Sequence, residues 1–156
     1  MLALEATVSA ISYITIAVFL GQLVAAGFLL PQGQPATLRT ALLVWARASL
    51  LLFLFAALLT LLVQGAKLQH AFPSAELLWR YLTMTQSGKT WFAREAYGVI
   101  LLFIMWPLPK KNATGKVIRL VTVLTLPLVA ARSLTSHAAA VRDDTAVAVI
   151  ADAIHL

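Results

Sequence analysis

Residues 40–63 read TALLVWARASLLLFLFAALLTLLV, a run of 24 residues with one charge, Arg47, and neither proline nor glycine. As a helix it measures about 36 Å at 1.5 Å per residue, enough to cross a hydrocarbon layer about 30 Å thick. Its apolar residues fall on every face, as lipid surroundings require and as a half-exposed soluble helix does not show. The reading is a membrane span. Arg47 sits about two turns from its start and is expected to snorkel to the interface, with Trp45 as an aromatic anchor.

Working toward the N-terminus, Pro31-Gln32-Gly33-Gln34-Pro35 breaks the chain, and before it residues 6–30 form a second uncharged apolar run. Ala17, Gly21 and Ala25 recur every four residues and predict a stripe where a neighbouring helix comes close. Gln22, the one strongly polar side chain there, is expected to face protein. This run lacks a basic leader, Glu5 being its only early charge, and is too long for a signal peptide, so it reads as a retained span.

Toward the C-terminus, Gln64-Gly65 is expected to stop the 40–63 span, and residues 66–89 mix Lys67, His70, Glu76, Arg80 and Lys89 with aromatics. Within them Ser74 is placed as the N-cap of a short amphipathic helix, with Glu76 in its first turn and Leu77, Leu78, Tyr81 and Leu82 as its apolar face on the membrane surface. A third span is expected over 90–108, carrying Arg94 and Glu95 near its start. A basic turn follows with Lys110, Lys111 and Lys116, then a fourth span over 117–136. Pro127 is expected to free the Val123 carbonyl and kink that helix. The run 145–156 has about 12 residues, about 18 Å of helix, too short to cross. The chain is therefore expected to be the N-terminal part of a longer one.

The whole is read as all-α: one polytopic transmembrane bundle over 1–156, with four full spans and a truncated fifth. Composition agrees. Of 156 residues 61% are apolar and 12% charged, against about 45–50% and about 25% in soluble domains. The excess of 12 Lys and Arg over 6 Asp and Glu fits loop charges that orient a membrane protein, not a nucleic-acid surface. With no cysteine, disulfides, thiolate metal sites and Cys nucleophiles are excluded. No phosphate loop, zinc-protease motif or nucleophile elbow occurs, and the chain is not read as an enzyme.

What remains for chemistry is a sparse polar set, costly inside lipid at about 2.5–3.5 kcal/mol per central charge. Asp152 and His155 are three apart and share a helical face. His137 closes the fourth span, and Asp143 and Asp144 precede the fifth run. Imidazole and carboxylate suit a divalent transition metal such as Cu(II), so His137, Asp152 and His155 are the candidate metal ligands. An interfacial histidine and a hydrogen-bonded Asp–His pair are the plainer alternatives. Arg94, Glu95 and Arg132 fall near the same face and are expected to pair and hold the bundle together. Met1, Met84 and Met105 are too few for a thioether relay of Cu(I).

These residues carry a resemblance. Thr85-Gln-Ser-Gly-Lys-Thr-Trp91-Phe-Ala-Arg94 resembles the opening of the third span in the copper resistance protein D family (CopD, PcoD). Arg132-Ser-Leu-Thr-Ser-His137-Ala-Ala-Ala resembles its serine/glycine-His-Ala stretch, with Ser136 where the family often has glycine. Ala151-Asp152-Ala-Ile-His155-Leu156 resembles the start of its fifth span. Gly88, Trp91, Arg94, His137, Asp152 and His155 are the matching positions. The resemblance implies a bacterial inner-membrane protein, usually of eight spans, in copper uptake or resistance. It also implies copper ion as the bound species, a small periplasmic copper-binding protein as partner, and pairing with the missing half or another copy. The alternatives are a haem-binding or haem-handling bundle, for which only His155 lies clearly at depth, and a non-catalytic assembly subunit.

Loop charge sets the orientation. Lys110, Lys111, Lys116 and Arg119, without an acid, place that turn in the cytoplasm, so the N-terminus, 66–89 and 137–144 face outward. Single cysteines at Asn112 and Ala139 are expected to react with an impermeant label from opposite sides; labelling from the same side contradicts this orientation.

Overall fold

The computed structural model describes residues 2–31, 36–69, 72–109 and 114–134. Among them every regular element is a helix: α1 Leu2–Val24, continued by a π turn over Ala25–Leu29, α2 Ala36–Gln69, α3 Ala75–Met84, α4 Gln86–Met105, α5 Gly115–Leu124 and α6 Leu126–Leu134. Two stretches, Ala3–Leu29 and Thr37–Lys67, are long and apolar enough to cross a membrane. The remaining helices differ from the expected full spans. α4 has 20 residues but carries Lys89, Arg94 and Glu95 in its first half, and the run over 117–136 is divided into α5 and α6.

α1 and α2 lie antiparallel. Glu5, at the start of α1, pairs with Lys67 at the end of α2, and Arg39 at the start of α2 reaches the last turn of α1. Between these ties Ser49 donates to Gln22 Oε1 at 3.3 Å, so Gln22 faces protein as its isolation among apolar neighbours predicts. The core is built by Ile16, Phe19 and Leu23 of α1, Leu43, Leu50 and Phe53 of α2, Leu101 and Met105 of α4, and Ile118 and Leu128 of α5 and α6. On the other faces Ile14, Val18, Trp45, Leu52, Phe55, Ile100, Phe103 and Val123 are exposed. That apolar surface suits lipid, and so large an area is rare on a soluble monomer.

One expectation about packing is corrected and two gain detail. Among the described residues no other helix comes within 4 Å of a Cβ built on Gly21, the middle of the small-residue stripe of α1. The face buried in the described bundle is Ser12, Ile16, Phe19 and Leu23, about half a turn away at 3.6 residues per turn, where bulk fills space. Gln64-Gly65 does not stop α2, which runs on to Gln69. Gly65 serves close approach, since a Cβ there would meet Pro73 Cβ at 2.7 Å and Leu78 at 3.2 Å. Arg47 reaches the end of a neighbouring helix. Its Nη1 donates to the Trp106 carbonyl at 3.0 Å and its guanidinium stacks on the Trp106 ring at 5.1 Å, tying α2 to the end of α4.

The division at Thr125 shows how the chain accommodates Pro127. Thr125 is fully buried and its hydroxyl donates to Thr122 O at 2.6 Å. α6 then begins anew with Pro127 in its first turn, where a missing N–H costs nothing. The carbonyl that a distant side chain takes up is that of Leu124, which accepts from Tyr97 of α4 at 2.6 Å. The expected kink becomes a break, stitched by a neighbouring helix.

The Ser74 cap holds: its side chain accepts from Leu77 N at 3.2 Å. Leu77, Leu78, Tyr81 and Leu82 are half-buried, and Leu77, Leu78 and Tyr81 close on Leu61, Gln64 and Gly65 of α2. The apolar face of α3 is thus turned toward protein, while Phe72, Trp79 and Met84 are exposed.

Candidate functional site

The turn into α4 is fixed by the residues of the Thr85–Arg94 motif. Thr85 caps the helix, its hydroxyl oxygen accepting from Gly88 N at 2.9 Å and donating to Tyr81 O at 2.7 Å. Gly88 is there because α3 and α4 nearly touch: any Cβ would collide with the Tyr81 carbonyl. Burial pushes the Tyr81 phenol above its ordinary value of 10.0, and the charge of Arg94 offsets part of that rise.

One turn beyond, Trp91 and Glu95 lie four apart on one face of α4. Arg94 is 5% exposed, and its Nε and Nη2 both lie 2.6 Å from Glu95 Oε1. Its guanidinium also lies over the Phe53 ring of α2, 5.6 Å from the centroid. Arg132 of α6 is 8% exposed, stacks on Tyr13 at 4.1 Å and donates to Ser9 at 3.4 Å, both of α1. The structure thus gathers Arg94, Glu95 and Arg132 into one buried patch that links α1, α2, α4 and α6.

The carboxylate is held on one side only. Both donors of Arg94 converge on Oε1, and Glu95 Oε2 is buried without a hydrogen-bond partner among the described residues, as is Trp91 Nε1. The patch has two guanidinium groups and one carboxylate. It is a polar lining at the end of the bundle where α6 leads toward His137. The pairing expected among these residues is present between Arg94 and Glu95; neighbours on a helix point in different directions, so it forms because the long arginine side chain folds back.

His137, Asp152 and His155 lie outside the described residues, as do Asp143, Asp144 and His70. Among the described residues no group of three or more His, Asp or Glu is gathered as a metal site. Met84 is exposed near the start of α4 and Met105 fully buried at its end, so these two sulfurs cannot share an ion.

A family model described as Copper resistance protein D-like, N-terminal domain, matches residues 1–146. No curated protein and no solved structure matches the chain.

Removing one member of the buried pair should strand the other. Arg94→Met takes the hydrogen-bonding partner from the buried Glu95 carboxylate, leaving it only the charge of Arg132, and is expected to cost about 3–5 kcal/mol in a denaturant titration in detergent. The double variant Arg94→Met/Glu95→Leu is expected to recover part of that loss. A double variant no more stable than Arg94→Met contradicts the pair's role.

Proposed function

The chain belongs to the copper resistance protein D-like N-terminal domain family, and from that premise we propose that it is a multi-pass inner-membrane protein that binds and moves copper in copper uptake or tolerance. Family membership over nearly the whole chain is the observation that carries the reading. Copper is the cargo, bound by His137, Asp152 and His155 at the outward-facing end, with the N-terminus on that same side. His137 falls inside the matched segment, whereas Asp152 and His155 lie beyond it and rest on their i, i+3 spacing and on the cost of leaving them unsatisfied in lipid.

The chain's own chemistry is consistent with this choice of ligand. Sulfur is scarce and separated, which leaves nitrogen and oxygen donors, the set that suits an oxidised copper ion. Asp143 and Asp144 supply negative charge at the mouth and draw cations toward it. The Arg94–Glu95–Arg132 patch does not ligate through its guanidinium groups, which repel a cation. Its role is to fix α4 and α6 against α1, so that the segment following Leu134 starts from a rigid support. The partners that fit are the bilayer, a small periplasmic copper-binding protein that delivers the ion, and the remaining half of a longer chain or a second copy.

His137→Ala and His155→Ala are each expected to weaken copper binding by at least about tenfold, since even outer partners of metal ligands are worth about 10–100-fold. Cells carrying either variant should change in copper sensitivity, and His70→Ala should leave both properties unchanged. Normal copper behaviour in both variants at normal protein levels would overturn the assignment.

A further inference from the structure

The end of the bundle opposite Glu5 and Lys67 has a feature that copper handling does not use. α1 closes there in the π turn, and two successive carbonyls of that turn are taken up by guanidinium groups from different helices. Arg39 Nε of α2 donates to Ala26 O at 3.3 Å, and Arg119 Nε of α5 donates to Gly27 O at 3.0 Å. Arg39 Nη2 also reaches Pro31 O at 3.5 Å. Gly27 permits this, since a Cβ there would press on Ile118 at 3.2 Å and the Arg119 backbone at 3.3 Å. The last carbonyls of a helix need donors and carry its negative dipole end, which explains why arginine sits here.

That explanation uses only one edge of each guanidinium. Arg119 remains exposed and Arg39 half-buried, with their Nε edges turned to the helix end. Lys116 stands exposed one turn before Arg119. Among the described residues no acid pairs with them, and the sequence has no Asp or Glu between Glu5 and Glu76 or between Glu95 and Asp143, while it adds Lys110 and Lys111 just before Lys116. Beside the cations the surface is apolar: Phe28, Leu29 and Leu120 are exposed, and Arg119 lies over Phe28, 5.6 Å from its ring centroid.

A phosphate next to acyl chains matches both halves of this surface, and the planar fork of arginine suits phosphate oxygens. We propose that Arg39 and Arg119 hold the phosphate of an anionic phospholipid of the phosphatidylglycerol class at this end of the bundle, with its chains along Phe28, Leu29 and Leu120. Basic pockets between membrane helices recognise lipid headgroups in this way. An acidic protein would match the charge but not the apolar rim. The site stands apart from the copper reading and does not depend on it.

The test uses the purified protein in phosphatidylcholine vesicles with and without phosphatidylglycerol, read by the lipid retained in native mass spectrometry and by the thermal midpoint. The unaltered chain is expected to retain phosphatidylglycerol and to melt several degrees higher with it. Arg80→Gln, at the opposite end, should behave the same, and Arg119→Gln should lose both effects. Inorganic phosphate added to phosphatidylcholine vesicles at matched ionic strength should change nothing. If Arg119→Gln loses its helicity, Arg119→Lys decides: it keeps the charge without the fork and should retain less lipid. Retention in Arg119→Gln or Arg119→Lys equal to that of the unaltered chain overturns the proposal. So does equal retention of phosphatidylcholine, or a midpoint rise with inorganic phosphate alone.

Discussion

Hydrocarbon offers no hydrogen-bond partner, so each polar group carried into it must be satisfied by the protein. Helix ends carry carbonyls with no partner in their own helix, and the described bundle meets several of them from within the protein. The carbonyls of Ala26 and Gly27 at the end of α1 accept from Arg39 and Arg119. Trp106, just past α4, accepts from Arg47, and Leu124, the last residue of α5, accepts from Tyr97. In each case the donor comes from another helix. One set of bonds therefore closes the helix ends and fixes the helices against each other, a role that apolar packing alone fills poorly when lipid is as apolar as leucine.

The same constraint acts on the charges at the other end. Arg94 and Arg132 are both buried, and each is met by a carboxylate, a hydroxyl or an aromatic face supplied by the bundle. Breaking such a pair is costlier than never having it, because the survivor keeps its desolvation penalty. This explains why motif residues that look like chemistry act as architecture. Gly88 lets α3 touch α4, Thr85 caps the turn, and Arg94 anchors α4 toward Phe53. Copper ligation in the proposed account falls to His137, Asp152 and His155, and the patch supplies the frame.

Much of this was legible from composition. The long uncharged runs mark α1 and α2 because hydropathy alone decides them, and Ser74 is readable because an N-cap is local chemistry. Packing was less legible for a physical reason. In water, the apolar face of a helix points to its partner; in lipid, all faces are apolar and the sequence does not say which one meets protein. Hence Gly21 meets no other helix among the described residues, while Gly27, Gly65, Gly88 and Gly98 mark close approaches, although spacing favoured the first. The partners found at Arg47 and at the Pro127 break are not legible in the sequence for a related reason. They are Trp106 and Tyr97, 59 and 27 residues distant from Arg47 and Leu124 in the chain. Of the candidate ligands, the described residues place none, so their reading stays with the sequence pattern and the family.

A bundle with no cysteine and two separated internal methionines is proposed to handle copper through nitrogen and oxygen donors. X-ray absorption of the copper-loaded protein in detergent tests it most directly. The account predicts a first shell of imidazole nitrogen and carboxylate oxygen at substoichiometric loading, with the outer-shell scattering of histidine rings. A sulfur-dominated shell, or copper that washes away with no defined coordination, would contradict it.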